Sequence, residues 1–188
     1  MELPNLENKR VFIIEGIAGS GKTTFFNAIK DNFKDKKIHR YPEEELMLGW
    51  KHVHIPNTSK LRLEFLNKVL DHIEKKLEQD KDTIFILERF HISAEILEWE
   101  FREDFEKEYN NLLLRVKKLP VHILIPTLDE SQIKEKSAHK ERGHQWNEYL
   151  KEKLKLRNFP DLESLYIAEQ KKILELAEKQ GISYSILK

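Results

Sequence analysis

The sequence predicts an α/β protein of three layers, with a five-stranded parallel sheet between helices on both faces. Three observations predict it. Runs at residues 11–14, 83–87 and 121–125 are apolar at almost every position, as strands covered on both faces must be. Between them lie longer segments whose apolar residues recur at helical spacing. Finally, Gly16-x-x-x-x-Gly21-Lys22-Thr23 joins the first run to the first helical segment, the strand–loop–helix setting in which a P-loop works. Strands that alternate with helices imply right-handed crossovers and put the chemistry at the carboxyl ends of the strands.

The elements follow in order. Residues 11–14 form the first strand, and Thr24 opens a helix to about residue 33, with Phe26, Ile29 and Phe33 at helical spacing. A short second strand, 37–41, stops before Pro42. Residues 41–59 carry two prolines, a glycine and mixed polar residues, which reads as a long connection. Leu61, Phe65, Val69, Ile73 and Leu77 recur every four residues and mark a long amphipathic helix from near Ser59. The third strand, 83–87, precedes mostly helical sequence from Ile92 to about Lys118, and the fourth, 121–125, ends at Pro126. Helices are expected over 129–141, 145–157 and 162–180, with Gly181 stopping the last, and a fifth strand over 183–187.

At 188 residues the chain suffices for one well-buried core, so residues 1–188 read as one domain. The 33 basic and 33 acidic residues cancel, which removes the net field that would favour nucleic acid or an anionic membrane. Cysteine is absent, which excludes disulfides, zinc–thiolate centres and thiol catalysis. No apolar run is long enough to cross a bilayer, and the first residues lack a signal peptide's apolar centre. A cytoplasmic location is the expectation.

Donor chemistry resides in the P-loop. The expected nucleotide-binding set is Gly16, Ala18, Gly19, Ser20, Gly21, Lys22, Thr23 and Thr24. Its glycines let successive N–H groups turn toward a β-phosphate, and the helix that follows adds its positive end. Lys22 is a mobile charge for the β- and γ-phosphates of ATP, and the Thr23 hydroxyl is suited to Mg²⁺. Glu88-Arg89 leaves the third strand at the same end of the sheet. Glu88 suits Mg²⁺, directly or through water, and Arg89 can bridge a donor phosphate and an acceptor group.

Together, Phe12-Ile-Ile-Glu-Gly-Ile-Ala-Gly-Ser-Gly-Lys-Thr-Thr24 and Glu88-Arg89-Phe-His-Ile-Ser93 resemble the thymidylate kinases and related deoxynucleoside kinases. Those enzymes carry an acidic–Gly pair entering the P-loop, and an acidic–Arg pair after the third strand. The resemblance spans most of the chain and implies a P-loop kinase fold. It implies that Glu88 assists Mg²⁺ and the acceptor, that Arg89 clamps phosphate, and that Arg142 closes over ATP. The closing residues belong to a basic lid around 127–145 that also carries Lys136 and Lys140. Pairing of the helices after Ser59 and Ile92 into a homodimer is a further implication. The chain departs from thymidylate kinases at Ala18, where an acidic residue is usual, and lacks their Arg-Glu-Pro-Gly-Gly segment.

Deoxynucleoside kinases place a Glu before a proline after the second strand, as base toward the acceptor hydroxyl. Here the order is Tyr41-Pro42-Glu43-Glu44-Glu45, and Glu43 is the candidate base; a solvated acidic helix start has the same pattern. Trp50 offers an aromatic face to a base or packs within its own loop. His52 and His54 alternate as ligands would on a strand but have no third partner in sequence. Phe90 and His91 line either the acceptor pocket or the core. The expected activity is ATP- and Mg²⁺-dependent phosphoryl transfer to a nucleoside or nucleoside monophosphate. A kinase of a non-nucleotide small molecule, and a P-loop ATPase or regulatory switch, are the alternatives.

Overall fold

The chain runs β1 (Val11–Ile14), α1 (Lys22–Asn32), β2 (Lys37–Tyr41), α2 (Glu43–Leu46), α3 (Thr58–Gln79), β3 (Thr83–Glu88), α4 (His91–Glu98), α5 (Glu103–Lys118), β4 (Val121–Pro126), α6 (Glu130–Ser137), α7 (Gly143–Leu156), α8 (Leu162–Gln180) and β5 (Tyr184–Leu187). The structure, a computed structural model, describes residues 4, 6–47, 58–98, 103–137 and 143–188.

All five strands are parallel, in the order β2-β3-β1-β4-β5. β1, β3 and β4 are buried at every position, because successive side chains point to opposite faces and both faces are covered. On one face Val11, Ile13, Phe85, Leu87, Ile123 and Ile125 pack with apolar residues of α3, α4, α5 and α8. On the other, Phe12, Ile14, Ile84, Ile86 and Leu124 meet Phe25, Phe26 and Ile29 of α1. Phe12, Phe85 and Phe90 are fully buried, each stabilising the fold by about 2–3 kcal/mol.

Register brings the functional ends together. Ile14 lies opposite Glu88 on one side and Leu124 on the other, and Tyr41 opposite Leu87. The segments that begin at Glu15, Pro42 and Arg89 therefore leave the sheet side by side. At the opposite end, Arg10 donates to the carbonyls of Leu77 (3.1 Å) and Asp80 (3.0 Å), satisfying the end of α3.

Some elements differ from the sequence expectation for physical reasons. α1 begins at Lys22, two residues early, because Gly21 takes the left-handed conformation and serves as its N-cap. The 41–59 connection contains one helical turn, α2. Residues 92–118 hold two helices, α4 and α5, with 99–102 outside the description. In α3, Leu61 is 47% exposed, whereas Leu63, Leu66, Leu70, Ile73 and Leu77 are buried. A four-residue repeat drifts by about 40° per step around a 3.6-residue helix, so Leu61 and Leu77 cannot share one face.

Candidate active site

Two residues beyond the end of β1 stands Gly16, a glycine in close surroundings. A Cβ on Gly16 would lie 2.6 Å from Ser20 Oγ and 3.1 Å from the Pro126 carbonyl oxygen, so a larger residue would have to turn the Ser20 hydroxyl aside and press on the end of β4. Gly21, at φ 86°, is in the region where L side chains are strained. Ser20 Oγ is buried and has no hydrogen-bond partner among the described residues. Such a hydroxyl costs about 1–3 kcal/mol unless a ligand oxygen satisfies it. These features fit a phosphate chain.

Lys22 opens α1 and folds back over the loop. Its Nζ donates to the carbonyls of Ile17 (3.1 Å) and Gly16 (3.3 Å) and lies 3.4 Å from Glu43 Oε2. Burial, and then Arg89, pull its pKa down to about 8, with Glu43 opposing. Glu43, the first residue of α2, turns its other oxygen to Arg89 Nε at 2.8 Å. Burial favours its neutral form, but Arg89 and Lys22 outweigh burial and hold the carboxyl at about 2. One carboxylate thus joins the P-loop lysine to the arginine at the end of β3.

Arg89 sits at φ 64°, a left-handed conformation that a non-glycine residue keeps only where its neighbours enforce it. Its amide donates to Ile14 O at 2.9 Å, and its Nη1 to Ser93 Oγ at 3.2 Å. Burial works against its charge, yet Glu43, then Glu169 and Glu15, keep it firmly protonated. Glu169 is itself buried on α8 between Lys153 Nζ (2.7 Å) and Arg157 Nη1 (3.0 Å). Arg157 also donates to Ile96 O at 2.9 Å, linking the connection between α7 and α8 to α4.

Glu88 is buried and its carboxylate is held by Arg40 of β2, through Nε at 2.9 Å and through Nη2. The Arg40 guanidinium lies 4.3 Å from the Phe26 ring centroid. Thr23 and Glu88 offer only oxygen donors, the chemistry Mg²⁺ prefers. Among the described residues no group of three acidic or histidine side chains forms a metal cage. Thr23 and Glu88 are therefore the residues that would hold a Mg²⁺ here.

Lys22, Glu43 and Arg89 are brought together, while Glu88 stands at the adjoining strand end with Arg40. Phe90 is core, and His91 is buried against Gln180. Arg142, Lys140, Trp50, His52 and His54 lie outside the described residues, as does the side chain of Lys136. Two residues of the network, Arg40 and Glu169, carry no motif of their own, whereas Glu15 is the acidic half of the acidic–Gly pair that enters the P-loop. Glu15 has a signal, since a charged residue directly ending an apolar strand must find buried partners. Arg40 and Glu169 have none, being ordinary polar residues of an edge strand and a helix.

A five-stranded parallel sheet of this order, with a P-loop after β1 and helices on both faces, is an α/β P-loop kinase fold. Solved structures similar to the chain include thymidylate kinase from Candida albicans (19% identity, TM-score 0.56, covering 95% of this chain and 83% of that one). Thymidylate kinase from Ehrlichia chaffeensis is similar at 16% identity and TM-score 0.54, covering 95% and 92%. Deoxyadenosine kinase from M. mycoides, with bound dATP, is similar at 16% and 0.52, covering 94% and 89%. No family model matches the sequence, and no curated protein matches it.

Proposed function

We propose that the protein is an ATP- and Mg²⁺-dependent kinase that transfers the γ-phosphoryl group to a nucleoside or nucleoside monophosphate. The observation that carries this reading is Glu43 shared between Lys22 and Arg89. It puts a carboxylate suited to an acceptor beside the lysine suited to a donor. The similar structures that carry kinase names support the same class.

In this reading the P-loop amides and Lys22 hold the phosphates, and Arg89 supports charge spread over the transferring group. Thr23, assisted by Glu88, would hold Mg²⁺, which when bound would supply further charge neutralisation. When phosphates draw Lys22 away, Glu43 loses one of its two cations, and its basicity rises toward that needed to take an acceptor's hydroxyl proton. Arg142 is assigned to closing on the triphosphate with the lid around 127–145. A single domain, a cytoplasmic setting and a homodimer through the helices after Ser59 and Ile92 belong to the same proposal. No described helix is long and apolar enough to cross a membrane.

The test is transfer of label from γ-labelled ATP to a panel of nucleosides and monophosphates, with hydrolysis measured in parallel. Acceptor-dependent turnover is expected. Hydrolysis that no acceptor accelerates would instead assign the site to an ATPase or switch.

A further inference from the structure

Glu15 has no part in the transfer just described, yet it is fully buried where β1 meets the P-loop. Phe90 precedes α4 at its N-cap position and has no side-chain acceptor, so the helix cannot cap itself there. Glu15 Oε1 accepts the Phe90 N–H at 2.8 Å and lies 3.4 Å from the Ser93 N–H. Those are the two amides that a capping box satisfies from within its own helix. Glu15 Oε2 accepts from Ser93 Oγ, and Ser93 Oγ in turn accepts from Arg89 Nη1 at 3.2 Å.

We propose that Glu15 is a positioning residue: it caps α4 from the donor strand and, through Ser93, sets the Arg89 guanidinium against Glu43 for phosphoryl transfer. The inference rests on the kinase reading of the site. A closed circuit carries it, running from Glu15 through Ser93, Arg89, Glu43 and Lys22 back to the Gly16 carbonyl. Two carboxylates and two cations alternate with a hydroxyl, tying the acceptor side of the site to the donor loop. Arg89 has a left-handed backbone, fixed on one side by Ile14 O and on the other by the Glu15 bond to Phe90. Burial pushes the Glu15 carboxyl upward, a cost that an apolar side chain at this position would avoid. Both Lys22 and Arg89 lie within the field of this carboxylate.

Glu15→Gln and Ser93→Ala, singly and on an Arg89→Lys background, test it by steady-state kinetics and by the NMR signal of Arg89 Nε–H. In Glu15→Gln, kcat should fall about tenfold or more, since small misplacements of a catalytic group cost that much. KM for ATP should hold, the Arg89 signal should shift, and on the Arg89→Lys background the further loss should be slight. A cap of structural value alone would lower the melting temperature and leave kcat and the Arg89 signal as they are, which overturns the proposal. Losses that add in full on the Arg89→Lys background also overturn it. Where Glu15→Gln fails to fold, Ser93→Ala carries the same test, because it removes the relay and leaves Glu15 on the Phe90 amide. Should the wild-type protein transfer phosphate to no acceptor, the kinase reading falls, while the Arg89 signal still decides whether Glu15 positions that side chain.

Discussion

Glu43 stands 3.4 Å from Lys22 and 2.8 Å from Arg89, so changing it acts on two cations at once. In Glu43→Gln, kcat should drop about 100-fold or more, the scale of a lost general base. Affinity for ATP should rise, because Lys22 loses a competing carboxylate. Isothermal titration and initial rates separate the two effects; an unchanged kcat removes Glu43 from the base role. Lys22→Ala should abolish turnover while leaving the melting curve close to wild type, and retained turnover would exclude phosphoryl transfer at this loop. Lys22 and Arg89 are legible in the sequence because a spaced motif and a strand end place them. The Arg40–Glu88 pair is not, since its two residues are 48 positions apart and an arginine on an edge strand forms no pattern.

Among the elements, α8 shows how much a local signal can say. Asp161 accepts the Ser164 N–H at 2.7 Å at its start, and Gly181 ends it at φ 66°, the boundaries that a capping residue and a terminal glycine announce. A Cβ at Gly181 would meet nothing within 4 Å, so Gly181→Ala isolates the backbone effect. It should cost about 1 kcal/mol, read as a lower urea midpoint at unchanged slope, with Gly181→Asn costing less. No loss in the alanine variant would mean that the chain reverses there without the left-handed residue. Apolar runs made β1, β3 and β4 legible in the same way. α2 is only half legible, because Pro42-Glu-Glu-Glu has the pattern of an acidic helix start inside a segment that otherwise reads as connection, and the turn forms where Glu43 meets its two cations.

Across the whole molecule, α4, α5 and α8 are joined by one buried polar network whose charge state sets acid stability. Gln180 Nε2 donates to Tyr109 Oη at 2.8 Å and to Glu95 Oε2 at 3.3 Å. Its Oε1 therefore accepts from His91 Nε2 at 3.0 Å, which fixes His91 as the neutral Nε2–H tautomer. Among the described residues His91 Nδ1 is buried without a partner. Burial lowers the His91 pKa to about 4 from its ordinary 6.5. Below pH 6.5 the unfolded chain takes up a proton that the folded chain refuses, so the contribution is complete above 6.5 and is lost as pH falls toward 4. By pH 5 the loss should reach about 2 kcal/mol, at roughly 1.4 kcal/mol per unit. Glu15 runs in the opposite sense, since its raised carboxyl favours the folded state on the acid side, while burial lowers His39 and His122 in the same sense as His91, so the raw pH profile mixes all of them. Urea unfolding at pH 7 and pH 5 of wild type and His91→Gln separates them: the wild type should lose about 2 kcal/mol more than the variant. An identical pH response in the two proteins would show that acid stability is not set at the meeting of α4 and α8.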